Sequence, residues 1–292
     1  FMEKKQPFAF PPKKILVPLD LTEASVIAWR QAKSLAASFG ARVEGLFVQG
    51  WVYRGDLQPL DVEVAPVLAE LRRKLDAGEE IGAVTGSIEE TIASWGRHLD
   101  YDLIVMGTHG RTGLHRLLWG SVAEAVIRSA AVPVLIVRKP IGRPRTVLAP
   151  VNFSPYSMTG LQEAGEVART LAARLTVLHV LDAPVYGGPA TLKGPKHLLA
   201  DAISRLPMET RKACRPTAVL AFGDAAEQIG EAAKQADLVV LVAHRKGFLN
   251  DLVLGTTVER LLRHCDAAIL ALPTEKPLRP RLRAALRTLA KL

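Results

Sequence analysis

Three glycines and a serine at fixed spacing follow an apolar run in the first half of the chain, and these residue types could bind phosphate. The run 103–106 (LIVM) is typical of a buried strand, and the pattern G-x2-G-x9-G-S starts directly after it, at Gly107. Glycines at a strand end let main chain approach a ligand closely. Gly120 and Ser121 then open an amphipathic stretch, so free helix N–H groups and a hydroxyl would face the same point. The spacing therefore predicts a phosphate site between a strand and a helix.

The elements that must position these residues occur twice. At a shift of about 135 residues, segment 102–106 matches 237–241 and Gly120-Ser121 matches Gly255-Thr256. A self-match at this distance indicates a duplicated domain rather than a short structural repeat, and 292 residues accommodate two ordinary domains. We expect a first domain over 13–139, a second over 144–274 and a basic tail over 275–292.

Each half alternates apolar runs with amphipathic stretches. The first half predicts strands at 15–19, 43–48, 80–85, 103–106 and 133–137, with helices at 22–39, 65–77, 87–99 and 121–130. The second predicts strands at 146–151, 175–181, 217–222, 238–242 and 268–272, with helices at 155–173, 195–213, 225–235 and 256–264. Continuous apolar strands are typical of parallel sheets buried on both faces. The alternation predicts an α/β doubly wound fold, in which ligands bind beyond the carboxyl ends of the strands.

The full pattern resembles the nucleotide-binding signature of the universal stress protein family, and the resemblance covers nearly the whole chain because the unit appears twice. It implies two adenine nucleotide alpha hydrolase-like domains, each with a five-stranded parallel sheet in the order 3-2-1-4-5. Single-domain members pair through their last strands. Here 133–137 and 268–272 would pair within one chain as a pseudo-dimer and cover two sheet edges, and the chain could further form a homodimer.

The resemblance also implies which residues contact the nucleotide. A carboxylate at Asp20 would accept from the adenosine part, although the same side chain could simply cap the helix that starts near Thr22. The turn after the fourth strand would meet ribose and phosphates, and the start of the last helix would meet phosphates. The expected contacts are Pro18, Leu19, Asp20, Val48, Met106, Gly107, His109, Gly110, Arg111, Gly120, Ser121 and Val122.

Three of these residues have an equally ordinary structural interpretation. Val48 would look like any strand valine of the core. His109 recurs as His244, so it could order its loop rather than touch phosphate. Arg111 could neutralise phosphate through its guanidinium or lie in solvent.

The implied ligand is ATP, with ADP and AMP as alternatives and Mg²⁺ accompanying the nucleotide. The sequence has no G-x4-G-K-[ST], no H-R-D or D-F-G and no G-x-S-x-G, and no residue is placed to activate water. We therefore expect binding, with slow ATP hydrolysis at most, and neither a catalytic residue nor a metal site made by protein ligands alone.

The second half departs from the signature. Asn152 replaces Asp20, Val242 replaces Gly107 and Arg245 replaces Gly110, so that only Gly255-Thr256 survives. A β-branched valine disfavours the left-handed backbone open to glycine. We expect this half to have lost ATP or to bind something different, or to serve as a permanent dimerisation partner.

Composition limits the other classes of function. The net charge is +9, but segments 1–14, 138–145 and 275–292 carry +3, +4 and +5, so the domains themselves are not basic and nucleic acid is not expected as their partner. The tail could form a basic amphipathic helix on an acidic surface or dock on its own protein. Two lone cysteines, no long apolar run and no visible signal peptide predict a cytoplasmic protein.

Two main hypotheses remain from the sequence. The first is a tandem stress-response regulator that binds an adenine nucleotide in its first domain. The second is a stress scaffold or dimerisation protein that needs no nucleotide. An adenylyl transferase would require a HIGH-like or SGG-x-DS motif, which the sequence lacks.

Overall fold

Strands and helices alternate along both halves of the chain, as the apolar pattern predicts. The computed structural model describes residues 10–51, 63–107, 121–181, 193–243, 246–248, 251–253 and 256–273. These residues divide into two units, and the division falls between Pro140 and Ile141. We call them unit 1 and unit 2.

Among the described residues, unit 1 contains five parallel strands and four helices. The strands are β1 (Lys14–Leu19), β2 (Arg42–Gln49), β3 (Ile81–Thr85), β4 (Leu103–Gly107) and β5 (Val134–Val137). The helices are α1 (Glu23–Phe39), α2 (Ala65–Leu75), α3 (Ile88–His98) and α4 (Ser121–Ser129). The strand order is β3-β2-β1-β4-β5. The order reverses between β1 and β4, which puts a crevice at their carboxyl ends.

Unit 2 repeats this plan with additions. Its strands are β6 (Thr146–Pro150), β7 (Arg174–Leu181), β8 (Thr217–Phe222), β9 (Leu238–Ala243), β10 (Lys246–Phe248), β11 (Asp251–Val253) and β12 (Ala268–Pro273). Its helices are α5 (Pro155–Leu171), α6 (Lys193–Ser204), α7 (Met208–Cys214), α8 (Ala225–Ala233) and α9 (Thr256–His264). The main sheet has the order β12-β9-β6-β7-β8, and β10 and β11 pair antiparallel beside it. The doubly wound α/β prediction is confirmed in both units.

Two details of the predicted elements are wrong. The single helix expected over 195–213 is two helices, because Pro207 stands between α6 and α7 with an extended ψ of 145°. A proline lacks the N–H that would continue the helix, and its ring clashes with the preceding turn. The short β10–β11 pair was not expected at all, since its strands are only three residues long.

Side-chain caps fix where the first helix of each unit begins. Thr22 accepts a hydrogen bond from the main-chain N–H of Ser25 at 3.4 Å, and Ser154 accepts one from that of Ser157 at 3.2 Å. Threonine and serine are favoured at this position because their hydroxyl oxygen can accept from a free N–H of the first helical turn. Pro155 is the first residue of α5, where its missing N–H costs nothing.

An aspartate ties the amino ends of the two central strands together in each unit. Asp102 Oδ2 accepts from the N–H groups of Lys13 and Lys14 at 2.8 and 3.0 Å. Asp237 Oδ2 accepts from the N–H groups of Arg145 and Thr146 at 2.8 and 3.0 Å. Each carboxylate joins the start of one central strand to the segment that leads into the other, at the end of the sheet opposite the crevice.

The cores are built from the strands and from one face of each helix. Ile15, Leu16 and Val17 are fully buried in β1, and Leu148, Val177 and Val239 are buried at the centre of unit 2. Along the described stretches of chain, the helices are too short or too polar to span a lipid bilayer.

Gly45 of β2 is buried and closely packed in the core of unit 1, and it gives a first prediction. A Cβ there would lie 2.5 Å from Leu19 Cδ1 and 3.2 Å from Trp29 Cζ3. We expect Gly45→Ala to lower the free energy of unfolding of unit 1 by about 1–3 kcal/mol, the usual cost of overpacking. Urea denaturation followed by tryptophan fluorescence measures this.

Gly82→Ala in the neighbouring strand β3 is the control, because a Cβ at Gly82 meets nothing within 4 Å. Equal effects of the two substitutions would contradict the overpacking argument.

Candidate functional site

The two central strands of unit 1 separate toward their carboxyl ends and leave a crevice. Strand β1 pairs with β2 along its whole length, from Lys14 to Leu19. It pairs with β4 only at Ile15 and Leu16. Asp20 directly follows β1 and Gly107 ends β4, so both predicted site residues lie at this edge.

Asp20 organises the turn that starts α1. Its side chain is exposed, and Oδ1 accepts from the N–H of Thr22 at 2.9 Å and from the Thr22 hydroxyl. Its main-chain carbonyl accepts from the Ser25 hydroxyl at 2.6 Å. Thr22 itself is the N-cap of α1, so Asp20 holds the turn that leads into the helix rather than capping it. In the part of the chain that the structure describes, Asp20 Oδ2 has no hydrogen-bond partner, so this oxygen can accept from a ligand as well.

Gly107 is required by the protein's own packing. A Cβ on this residue would overlap the main-chain carbonyl of Ala24 in the first turn of α1. The sequence argument gave this glycine the task of letting main chain approach a ligand. The structure adds a packing reason for glycine here, since the missing side chain lets the start of α1 approach the end of β4. Gly107 thus influences the shape of the crevice through the position of α1.

Four other predicted contacts are strand residues whose side chains belong to the core or its margin. Leu19, Val48 and Met106 are 5%, 7% and 6% exposed, and Pro18 is half-buried. Val48 pairs with Val84 of β3, and Met106 pairs with Ile136 of β5. Leu19, Val48 and Met106 could therefore offer a ligand main-chain groups but not side chains.

Ser121 begins α4, which confirms the predicted helix start. Its side chain is exposed, Val122 is half-buried, and Ala123 is buried against the sheet. Helix N-termini present unbonded N–H groups and a partial positive charge. His109, Gly110, Arg111 and Gly120 lie outside the described residues, so their predicted contacts stay predictions.

Unit 2 keeps the turn but changes the strand end. Asn152 Oδ1 accepts from the N–H of Ser154 at 3.1 Å, as the oxygen of Asp20 does in unit 1. Val242 takes the place of Gly107 and has ordinary strand backbone. The expectation that valine would conflict with a left-handed backbone at this position is therefore wrong. Its predicted companion Arg245 lies outside the described residues.

Val242 is accommodated by a glycine that the sequence argument missed. Gly160 lies inside α5, and a Cβ there would stand 2.7 Å from Val242 Cγ2. The matching residue of α1 is Ala28, which is fully buried. At these two positions unit 1 has a glycine in the strand and an alanine in the helix. Unit 2 has a valine in the strand and a glycine in the helix. A glycine inside a helix is unfavourable by itself. Its presence within the predicted helix could therefore have indicated that another segment packs closely there.

Unit 2 also places an aromatic ring next to its crevice. Phe153 has the left-handed φ of 61°, and its ring centroid lies 4.5 Å from that of His179 on β7. His179 Nδ1 lies 2.8 Å from the Val151 carbonyl oxygen, which fixes the imidazole. Unit 1 has Leu21 at the corresponding position, so the two crevices differ in shape as well as in charge.

A separate cluster at the amino edge of unit 1 satisfies its own charges. The Tyr101 hydroxyl donates to Glu44 Oε2 at 2.6 Å, and Lys14 Nζ lies 3.2 Å from the same oxygen. Lys14 Nζ also lies 4.2 Å from the Tyr101 ring centroid. Burial, followed by the neighbouring Glu44, raises the pKa of Tyr101 far above its usual range. This cluster supports the fold and does not form part of the crevice.

The sequence profile described as the Universal stress protein family matches residues 11–138 and again residues 144–273. A universal stress protein of Methanocaldococcus jannaschii is 35% identical over 147 residues, which cover 44% of this chain and 83% of the relative. A universal stress protein A homologue of Coxiella burnetii is 30% identical over 138 residues, 43% of this chain and 95% of the relative.

Solved structures share the fold over nearly the whole chain. A universal stress protein from Archaeoglobus fulgidus gives a TM-score of 0.64 at 19% identity and covers 90% of this chain and 99% of its own. A universal stress protein structure from Pseudomonas aeruginosa gives a TM-score of 0.61 at 17% identity, with 97% and 99% covered.

The glycine–valine contact in unit 2 can be tested by a double-mutant cycle. Gly160→Ala should destabilise unit 2 through its collision with Val242, and Val242→Gly should destabilise it by removing buried apolar surface. Together they copy the pair found in unit 1. We expect the double variant to recover about 1–3 kcal/mol relative to the sum of the single effects, measured by chemical denaturation.

Gly230→Ala in α8 serves as the control, because a Cβ at that position meets nothing within 4 Å. It should be neutral or stabilising. Strictly additive costs for Gly160→Ala and Val242→Gly would show that the two positions are not coupled.

Proposed function

The chain belongs to the universal stress protein family as a tandem of two such domains, and from this premise we propose that unit 1 binds an adenine nucleotide and acts as a stress-response regulator. ATP is the proposed ligand, with ADP and AMP as alternatives. One observation carries the proposal. The spacing G-x2-G-x9-G-S runs from the end of β4 to the start of α4, beside the crevice where β1 and β4 separate.

The described part of the site fits the two ends of such a ligand. At the phosphate end, the exposed Ser121 opens α4, so helix N–H groups and a hydroxyl are available together. At the other end, Asp20 Oδ2 is available to accept from an adenine amino group or a ribose hydroxyl, while Oδ1 holds the turn. Main-chain groups near Val48 and Met106 would line the space between.

The proposal is for binding rather than turnover. Mg²⁺ would arrive with the phosphates, as a counter-ion to their charge. Residues of the crevice hold, orient and partly enclose the ligand, and the sequence supplies no residue placed as a general base beside the phosphates. Regulation would then follow from a difference between the nucleotide-bound and nucleotide-free protein in their affinity for a partner.

Unit 2 is proposed not to bind ATP. Asn152 replaces the carboxylate, and Val242 brings a side chain to the strand end where unit 1 has none. The pairing of β5 with β12, a homodimer and a cytoplasmic location stay predictions. The alternative function, a scaffold that needs no nucleotide, predicts no binding in either unit.

Calorimetric titration of Mg-ATP into protein stripped of copurified nucleotide tests the proposal through its stoichiometry. We expect one site per chain that is independent of Arg145 and Arg174, two exposed arginines at the amino edge of unit 2. A second site with the same independence would contradict our interpretation of Val242 and Asn152, and no binding would favour the scaffold.

Asp20→Asn then tests the assigned carboxylate, because it copies the residue that unit 2 carries and keeps an oxygen able to hold the turn. Loss of the acceptor toward the ligand should weaken ATP binding roughly ten- to hundredfold. Asn152→Asp is the matched control in unit 2 and should leave the ATP affinity unchanged. An Asp20→Asn variant with wild-type affinity would remove Asp20 from the site.

A further inference from the structure

Three arginines line an open cavity at the amino edge of unit 2, at the end of the sheet opposite the crevice. Arg143, Arg145 and Arg174 contribute to a cavity of about 650 Å³ whose apolar part comes from Leu171 and Ala172. The main-chain N–H of Arg174 donates to the Arg145 carbonyl at 2.9 Å, so these two arginines begin neighbouring strands. All three side chains are exposed.

The positive charge of this cavity is not neutralised by the described parts of the chain. Arg143 Nε donates to the Leu171 carbonyl at 2.9 Å and its Nη2 to the Thr170 carbonyl at 3.4 Å. These hydrogen bonds satisfy the last carbonyl groups of α5, but they bring no negative charge to the guanidinium. Across the described ranges, no carboxylate forms an ion pair with Arg143, Arg145 or Arg174. The nearby Asp237 is engaged by main-chain N–H groups and by the Thr146 hydroxyl.

Unit 1 fills the corresponding place with aromatic rings. Phe10 and Phe39 meet edge to face there with ring centroids 5.5 Å apart. Unit 2 has Gly142 and Leu171 at these two positions, and Arg143 where unit 1 has Pro11. The loss of both rings leaves space, and the new arginine adds charge to it.

Unit 1 also supplies the counter-charge that unit 2 lacks. Arg42 corresponds to Arg174, and its Nη1 lies 4.0 Å from Glu44 Oε1. Unit 2 has Thr176 at the position of Glu44. The duplicated domain has therefore replaced an edge that carries two aromatic rings and the Glu44 carboxylate by an open cavity with three cationic side chains.

We propose that this cavity binds a small molecule that carries two or more phosphoryl groups. A guanidinium donates two parallel hydrogen bonds to phosphate oxygens, and three around one cavity match a ligand with several charges. Ile141 and Ala172, which also line the cavity and are not buried, give the ligand an apolar surface to lie against. This site is independent of the nucleotide proposed for unit 1, because every residue that lines it belongs to unit 2.

Inorganic pyrophosphate is the probe, titrated calorimetrically at low ionic strength. We expect saturable binding to the full chain that weakens at least tenfold in the Arg145→Ala/Arg174→Ala variant. Both side chains are exposed, so these substitutions should leave the fold intact, which circular dichroism checks. The matched control is Arg42→Ala in unit 1, which should leave pyrophosphate affinity within twofold of the wild type.

Thr176→Glu gives a second test that removes no arginine. It restores the carboxylate present in unit 1, so it should also weaken pyrophosphate binding several-fold. Ser121→Glu places a negative charge at the phosphate end of the nucleotide site proposed for unit 1. This variant should bind pyrophosphate like the wild type, which separates the arginine cavity from the nucleotide site. Absence of pyrophosphate binding, or binding that is insensitive to Arg145 and Arg174, would overturn the proposal.

Discussion

One carboxylate at the amino end of each sheet sets the geometry on which the two domains depend. Asp102 and Asp237 each accept two main-chain N–H groups from the start of the neighbouring central strand. Hydrogen bonds to an ionised acceptor are stronger than neutral ones. They hold the central strands in register where only two residue pairs join them. With that end fixed, the right-handed twist of the sheet lets the strands diverge at the other end.

Because the central strands diverge, the first helix of each unit can approach the carboxyl edge of the sheet. In unit 1 the start of α1 comes so close to β4 that only glycine fits at position 107. The same turn is held by Asp20, Thr22 and Ser25 through hydrogen bonds within six residues of chain. The shape of the crevice therefore follows from the packing of α1 against the sheet, and the ligand groups are arranged on a framework that exists without a ligand.

Much of this could be predicted from the sequence, because the apolar runs, the helix caps and the repeat are local or periodic signals. The helix starts at Thr22 and Ser154 and the start of α4 at Ser121 are examples. Other features depend on contacts between distant segments. The packing role of Gly107 was missed because nothing in the sequence shows that Ala24, more than eighty residues earlier, lies against it. Pro207 was a readable signal for the end of α6 and was overlooked. To find the arginine cavity one must know that Arg143 and Arg174 lie around the same space, and the sequence pattern does not contain this information.

The exchange of residue sizes between the two units has a consequence for how duplicated domains diverge. Gly160 lies against Val242 in unit 2, and unit 1 carries Ala28 and Gly107 at the matching positions. The two positions are encoded about eighty codons apart. A recombination event between the repeats with its breakpoint in that interval would join the helix of one repeat to the strand of the other. A hybrid with alanine opposite Val242 would then contain the collision described for Gly160→Ala, so exchange of sequence between the repeats would lower stability.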